Sequence, residues 1–327
     1  MKLLIITQAV DTEDPFLGFF VRWIEEFAKH VERIEVICLK EGKHSLPKNV
    51  RVHSLGKERG AASRATYALR FLKLVWKLRH EYDAVLVHMN PEYVVLGGLF
   101  WRLWGKNIAL WYMHKSVNLK LRIAELFANH IFTASKESFR LESKKVRIMG
   151  HGIDTEVFSP DSRIVRGAAV LSVGRLSPIK RHDLTIRAAE HFPYDVWIAG
   201  DGPEHLRLEE LSKRLSLARR VQFLGPQTQA QLPDVYRRAG GFVHTSETGS
   251  LDKVVLEALA CGLPVITTST TLSGLPVTVV SPTPSGIAEG VLAMRQTDTQ
   301  PLVAYVRERH SLATLIPRIL AELVQNA

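Results

Sequence analysis

The sequence has almost no cysteine. Its 327 residues contain two, Cys38 and Cys261, far apart and in no C-x-x-C pair. A disulfide framework or a cysteine-based zinc site is therefore excluded, and a reducing compartment fits. No apolar run is long enough for a membrane span. The most apolar stretch, Tyr93 to Trp104, is short and contains Arg102, whereas a spanning helix needs about 20 residues. The start, Met1 to Thr7, lacks the length and the small-residue cleavage site of a secretory signal, and reads as a buried strand. The absence of a short-period repeat or low-complexity tract leaves ordinary globular domains. No D-x-D follows an apolar run; Asp11-Thr12-Glu13-Asp14 is a weaker acidic cluster and reads as a loop. Acidic residues are also in deficit, giving a formal net charge of +10. Residues 1–160 hold 25 Lys and Arg against 17 Asp and Glu, and residues 161–327 hold 18 against 16. An anionic partner of the first half, such as lipid headgroups, a lipid-linked phosphate or nucleic acid, would account for that asymmetry; so would a basic solvated surface.

Apolar residues make up 46% of the chain, and the length suggests about two domains at roughly 150 residues each. Short apolar runs alternate with helix-period segments. In the first half the runs are Lys2–Thr7, Ile34–Leu39, Val85–His88, Ile108–Met113, Ile131–Ala134 and Val146–Met149, and the helical segments are Phe16–Lys29, Arg64–Arg79, Tyr93–Trp104 and Val117–Asn129. In the second half the strands are Ala169–Val173, Val196–Ala199, Val221–Leu224, Phe242–His244 and Val265–Thr267, and the helices are Asp183–His191, Pro203–Ser216, Gln229–Arg238 and Val254–Ala260. Continuous rather than alternating apolar runs mark strands covered on both faces, hence parallel α/β sheets. The expectation is two doubly wound α/β domains facing a cleft, residues 1–160 and 161–327, with Asp154–Arg166 as linker and Leu312–Val324 as a final amphipathic helix.

Ligands of such sheets bind beyond the carboxyl ends of the strands. Two segments there carry chemistry. In Ser172-Val173-Gly174-Arg175-Leu176-Ser177-Pro178-Ile179-Lys180 a strand ends, Gly174 permits a sharp turn, and two cations follow on the loop. Arg175 offers a planar fork and Lys180 a mobile point charge, a pair suited to a diphosphate; an ordinary loop with solvated cations would look the same. The second segment runs from Ser246 to Ile266, where a Gly/Ser loop opens a short helix that stops at Gly262. The start of that helix suits a phosphate. Glu257, one turn in, could accept hydrogen bonds from two ribose hydroxyls or be a surface carboxylate. Asp252 reads as an N-cap.

These segments resemble the retaining glycosyltransferases of the family 4 type, with the two-domain GT-B fold. The pattern V-G-R-L-x-x-x-K is matched by Val173, Gly174, Arg175, Leu176 and Lys180, and the second signature by Leu256 through Ile266. Ala199-Gly200-Asp201-Gly202-Pro203, Phe223-Leu224-Gly225, Tyr236-Arg237-Arg238-Ala239 and Gly152-Ile153-Asp154 with Phe158 and Pro160 are also similar, whereas the first half matches only in general pattern.

The resemblance implies two Rossmann-like domains, the first on the acceptor side and the second holding the donor. It implies that Arg175 and Lys180 grip the donor diphosphate, Glu257 holds the ribose, Gly174, Gly200 and Gly202 line the nucleotide, and the loop through Gly249, Ser250, Leu251, Lys253 and Val254 meets phosphate and sugar. His114 looks like the family's cleft histidine, though a lone histidine after a strand is more often structural. Gly18, a turn residue otherwise, would approach the phosphates. One departure stands out. The family has a Glu eight residues before the position of Glu257, and here that residue is Gly249; Glu247 and Asp252 are nearby without the usual spacing.

The reaction implied is transfer of a sugar from a nucleotide-sugar, UDP- or GDP-linked, to an acceptor hydroxyl with retention. No metal and no other cofactor are expected. The acceptor would be a glycan or a lipid-linked glycan in cell-surface glycan or glycolipid synthesis. The setting would be cytoplasmic, with peripheral association with an anionic membrane as an option and no nucleic acid partner. Rival readings are a sugar-nucleotide epimerase on the same fold and a non-catalytic protein that binds membrane or nucleic acid. For the latter, Arg70 to Arg79 interleaves cations with apolar residues, as in a helix on a bilayer or a core-facing helix with snorkelling cations.

Overall fold

Leu3, Leu4, Ile5 and Ile6 are completely buried, which requires a strand covered on both faces. In the computed structural model they lie at the centre of β1 (Lys2–Val10). The structure describes residues 1–14, 17–294 and 298–324. β1 is followed by α1 (Phe19–Ala28), β2 (Arg33–Glu41), β3 (Val50–Ser54), α2 (Arg64–Lys77), β4 (Ala84–His88), α3 (Pro91–Leu103), β5 (Asn107–Trp111), α4 (Leu119–Phe127), β6 (His130–Thr133) and β7 (Val146–Ile148). Then come β8 (Val170–Val173), α5 (His182–Ala188), β9 (Val196–Ala199), α6 (His205–Arg214), β10 (Val221–Gly225), α7 (Leu232–Arg238), β11 (Gly241–His244), α8 (Lys253–Ala260), β12 (Val265–Thr267), β13 (Thr278–Val279), α9 (Pro284–Ala293), α10 (Gln300–Arg309) and α11 (Leu312–Val324). Phe16, where the sequence reading began the first helix, lies outside the described residues.

Among the described residues the strands form two sheets, ordered β3-β2-β1-β4-β5-β6-β7 and β10-β9-β8-β11-β12-β13. All pairs are parallel. Both sheets are doubly wound, with the order reversing between β1 and β4 and between β8 and β11. Each has apolar clusters of helix and strand residues: Phe20, Trp23, Phe27 and Trp111 in one of the first unit's, Tyr236, Phe242 and Leu256 in one of the second's.

The chain divides into two compact units: Met1–Gly152 with the final helix α11, and Ile153–Ser311. This corrects the sequence's assignment of 161–327 to the second domain. Helix α11 is present over the expected residues, but its apolar face of Leu312, Leu315, Ile316, Ile319, Leu320 and Leu323 completes the core around Trp23 and Phe27. The Asn107 side chain donates to the Leu323 carbonyl at 2.8 Å, satisfying one of the orphan acceptors at the helix end. The expected linker, Asp154–Arg166, is pinned to the second unit. Phe158 is buried against Tyr236. Arg237 donates to the Val157 and Ser159 carbonyls, and Arg166 to those of Cys261 and Gly262.

Candidate active site

In the second unit the strand order alone brings the two signatures together. β8 and β11 are neighbours across the reversal point, so the loops leaving their carboxyl ends, Gly174–Lys180 and Thr245–Asp252, share one edge. They are stitched by hydrogen bonds. The Glu247 amide donates to the Ile179 carbonyl at 2.9 Å, and the Thr245 hydroxyl reaches the carbonyls of Lys180 and Arg181, each at 2.9 Å. The loop after β9 closes the same edge. Gly174 and Gly200 both have positive φ, 155° and 138°, and a Cβ on Gly200 would stand 2.0 Å from the Gly174 carbonyl oxygen. A Cβ on Gly202 would stand 2.3 Å from that of Leu176. Only glycine permits this approach of the two backbones.

Lys180 does not point into solvent. Its ammonium donates to Asp252 Oδ2 at 2.6 Å, and His244 Nε2 lies 2.9 Å from the same oxygen. The Thr248 hydroxyl adds a longer bond, 3.3 Å to Oδ1. An ionised carboxylate only accepts, so the His244 proton on that bond sits on Nε2, and in the neutral ring Nδ1 accepts from Thr267 Oγ1 at 3.0 Å. Burial disfavours the charged form of Asp252. The His244 hydrogen bond and the Lys180 charge outweigh it and hold the carboxyl well below the usual range. Asp252 occupies the N-cap position of α8, but its side chain makes no capping bond. The N-cap reading holds for the position of Asp252 and not for its side chain. The carboxylate fixes Lys180 instead.

Arg175 is exposed and makes no ion pair among the described residues. Arg181, which the sequence reading passed over, engages Glu247 and Asp183. Gly249 has φ 57°, a conformation that a glutamate there could adopt only with strain. Ser250 is half-buried and Leu251 buried.

Glu257 is 1% exposed, which rules out a surface carboxylate. Tyr236 donates to its Oε2 at 3.2 Å and Lys253, one turn earlier, lies 2.9 Å from Oε1. The Val254 carbonyl also accepts from the Tyr236 hydroxyl, at 3.3 Å. Burial first, and then the Glu257 charge, push the Tyr236 phenol well above its ordinary value, so it stays a donor. Each Glu257 oxygen keeps a second lone pair for a further hydroxyl. His182 stands behind the β8 loop with Nδ1 3.0 Å from the Ser172 hydroxyl; burial lowers its pKa to about 4, so it is neutral near pH 7.

Arg175, Lys180, Gly174, Gly200, Gly202, Glu247, Gly249, Ser250, Leu251, Lys253, Val254 and Glu257 thus belong to one unit, most of them on its strand-end loops and the start of α8. Gly18 and His114 belong to the other. Gly18 precedes α1, and a Cβ there would stand 2.7 Å from the Asp14 carbonyl oxygen. His114 is exposed, edge-on to Tyr112 at 5.6 Å. The Asp11–Asp14 segment is a loop, as read. The Asp11 carboxylate ties it down by accepting from the amides of Glu13 and Lys43 and from the Lys40 ammonium. A cavity of about 510 Å³ opens at the carboxyl ends of β1, β2 and β4, lined by Gln8, Leu39, Tyr67, Asn90, Tyr93 and Leu96 among others. Sequence reasoning missed Tyr236, His182 and His244 as site residues. The signals were that His244 ends an apolar run and that Tyr236 opens a segment similar to the family's.

Residues 155–289 match the family described as glycosyl transferases group 1. The D-inositol 3-phosphate glycosyltransferase of Mycobacteroides abscessus is 38% identical over 141 residues, covering 38% of this chain and 32% of the relative. That of Mycolicibacterium smegmatis is 35% identical over 144 residues, covering 39% and 33%. The match therefore spans about a third of the length of these curated relatives. Among solved structures, Anabaena HepE in complex with UDP superposes with a TM-score of 0.76 over 99% of both chains at 20% identity. Sucrose-phosphate synthase from Thermosynechococcus elongatus gives 0.74 over 100% of both at 17%. The match to the group 1 glycosyl transferases falls within the second unit, and the chain as a whole has the two-domain GT-B fold.

Proposed function

We propose that this protein is a glycosyl transferase of the group 1 type that moves a sugar from a nucleotide-sugar held by its second unit to a hydroxyl of an acceptor taken by its first. The observation that carries this reading is that Arg175, Lys180 and the start of α8 lie on neighbouring strand-end loops at the reversal point of the second sheet. A departing nucleoside diphosphate concentrates negative charge. Two cations and a helix N-terminus stabilise that charge as it develops. With these groups in place no divalent metal is required. Glu257, oriented by Tyr236 and Lys253, accepts from the ribose hydroxyls. Gly200 and Gly202 let the nucleotide approach the backbone.

In this reading the configuration at the anomeric carbon is retained, the leaving phosphate takes the acceptor proton, and His114 orients the sugar. UDP or GDP carries the donor. Gly249, which offers no carboxylate to the sugar, makes the choice of sugar differ from that of relatives with Glu at that place. The acceptor is a glycan or lipid-linked glycan for the cell surface, met in the cytoplasm at the inner face of the membrane. No helix among the described residues is long and apolar enough to cross one.

The test is product analysis with UDP- and GDP-sugars and glycan acceptors. A new glycoside with release of nucleoside diphosphate is expected. Lys180→Ala should lower its rate about a hundredfold, the usual loss for one charge-stabilising group. An epimerised nucleotide-sugar without glycoside, or no turnover of any donor, would overturn the reading.

A further inference from the structure

Helices α2 and α3 of the first unit carry an aromatic group at the margin of the core: Trp104 packs against the core, and Trp76 stands outside it. The Trp76 ring is edge-on to Phe100 and Trp104, with centroids 6.5 and 5.6 Å away, and those two rings are 5.8 Å apart. Trp76 is 55% exposed, and Leu69, Leu99 and Leu103 are 69%, 54% and 74% exposed. Leu69 and Trp76 are two turns apart on one face of α2, and Leu99 and Leu103 follow one face of α3. The sequence left open whether Arg70–Arg79 faces the core or a bilayer. Phe71, Val75 and Leu78 fill the core, so α2 is apolar on a second side as well, more than a surface helix requires. A clustered exposed apolar patch of this kind marks an interaction surface.

The charge around the patch narrows the partner. Helix α2 carries Arg64, Arg70, Lys73 and Lys77 and no carboxylate. The Arg79 guanidinium lies 4.9 Å from the Trp76 ring centre. Lys73, Lys77 and Arg102 make no ion pair among the described residues. Indoles and leucines ringed by unpaired cations complement a surface that is apolar within and anionic at its edge. The headgroup–acyl boundary of a bilayer with acidic lipid has that profile.

We infer that the α2–α3 face docks this protein on an anionic membrane. Trp76, Phe100, Trp104, Leu99 and Leu103 enter the boundary, and Lys73, Lys77, Arg79 and Arg102 meet lipid phosphates. The inference names a surface for the membrane setting of the proposed function, yet it rests on the first unit alone. Its test uses no donor, so either can fail without the other.

The test is vesicle flotation of the full chain with phosphatidylcholine, with and without phosphatidylglycerol. Flotation is expected with the acidic lipid, weakening as salt rises. Trp76→Ser combined with Leu103→Ser should lower the partition coefficient about tenfold or more, while Lys73→Gln with Lys77→Gln should lower it only on the acidic vesicles. Quenching of wild-type tryptophan fluorescence by brominated acyl chains gives a reading that no misfolded variant can blur. Absence of flotation, flotation unchanged in the double serine variant, or a patch-dependent dimer that binds no vesicle would each overturn the inference.

Discussion

The Lys180 ammonium and the Asp252 carboxylate stand 2.6 Å apart although 72 positions separate them in the chain. The contact ties the loop after β8 to the start of α8. It also determines where the cation of the first signature can be, because both side chains are largely buried and a desolvated pair gives up its geometry reluctantly. Asp252→Asn removes the charge and keeps the volume. It should lower unfolding stability by about 2 kcal/mol, since it leaves Lys180 buried without its counter-charge. Urea midpoints at pH 7 would read this, and an unchanged midpoint would contradict it. The Asp252 pKa is depressed in the folded state, so its contribution is present above the unfolded carboxyl's range and lost as pH falls below it. The variant should lack that part of the acid-side loss.

Gly200 and Gly225 make a controlled comparison. Both have positive φ, but a Cβ at Gly200 would meet the Gly174 carbonyl whereas one at Gly225 would meet nothing within 4 Å. Gly225→Ala should cost about 1 kcal/mol, the backbone term alone. Gly200→Ala should cost about 3 kcal/mol, because the β8 and β9 loops must also part. Equal midpoints for the two variants would show that the close approach does not constrain the loops.

The acid limb of stability should carry a mark of His182. Its folded pKa is about 4 because burial excludes the charged ring, against about 6.5 in an unfolded chain. Between those values the unfolded state binds the extra proton, so stability falls as pH drops through that window. From pH 7.5 to 5 the loss due to this group is about 2 kcal/mol. Urea denaturation of wild type and His182→Gln at both pH values should show the smaller decline in the variant. Identical declines would mean that the ring titrates normally.

Much of this was legible in the residues, for identifiable reasons. Val196–Ala199 and Val265–Thr267 are strands over the expected residues because continuous apolar runs bounded by turn residues leave little choice. The edge strand β3 was missed because Val50–Ser54 alternates with polar residues and is only half-buried, and the two exposed residues of β13 carry no pattern at all. Helix α9, containing Gly286 and Gly290, has poor intrinsic propensity and is held by packing against Ile266 and Val280. Helix α11 was found, but an apolar stripe does not say which core it will cover. At the site, Arg175, Lys180 and Glu257 were singled out by their places after a strand and at a helix start, and given roles by the resemblance. The use of Asp252 was not, because a carboxylate before a helix looks like a cap until a distant lysine and histidine are brought to it by the neighbouring strands.

The account stands on nucleoside diphosphate being held by Arg175 and Lys180 of the second unit, and calorimetric titration of wild type, Arg175→Ala and Lys180→Ala with UDP and GDP tests it most directly. Wild type should bind one of the two, and each variant should bind it at least about tenfold more weakly, as expected for loss of a charged hydrogen bond. Binding of neither nucleotide by wild type, or wild-type affinity in both variants, would contradict it.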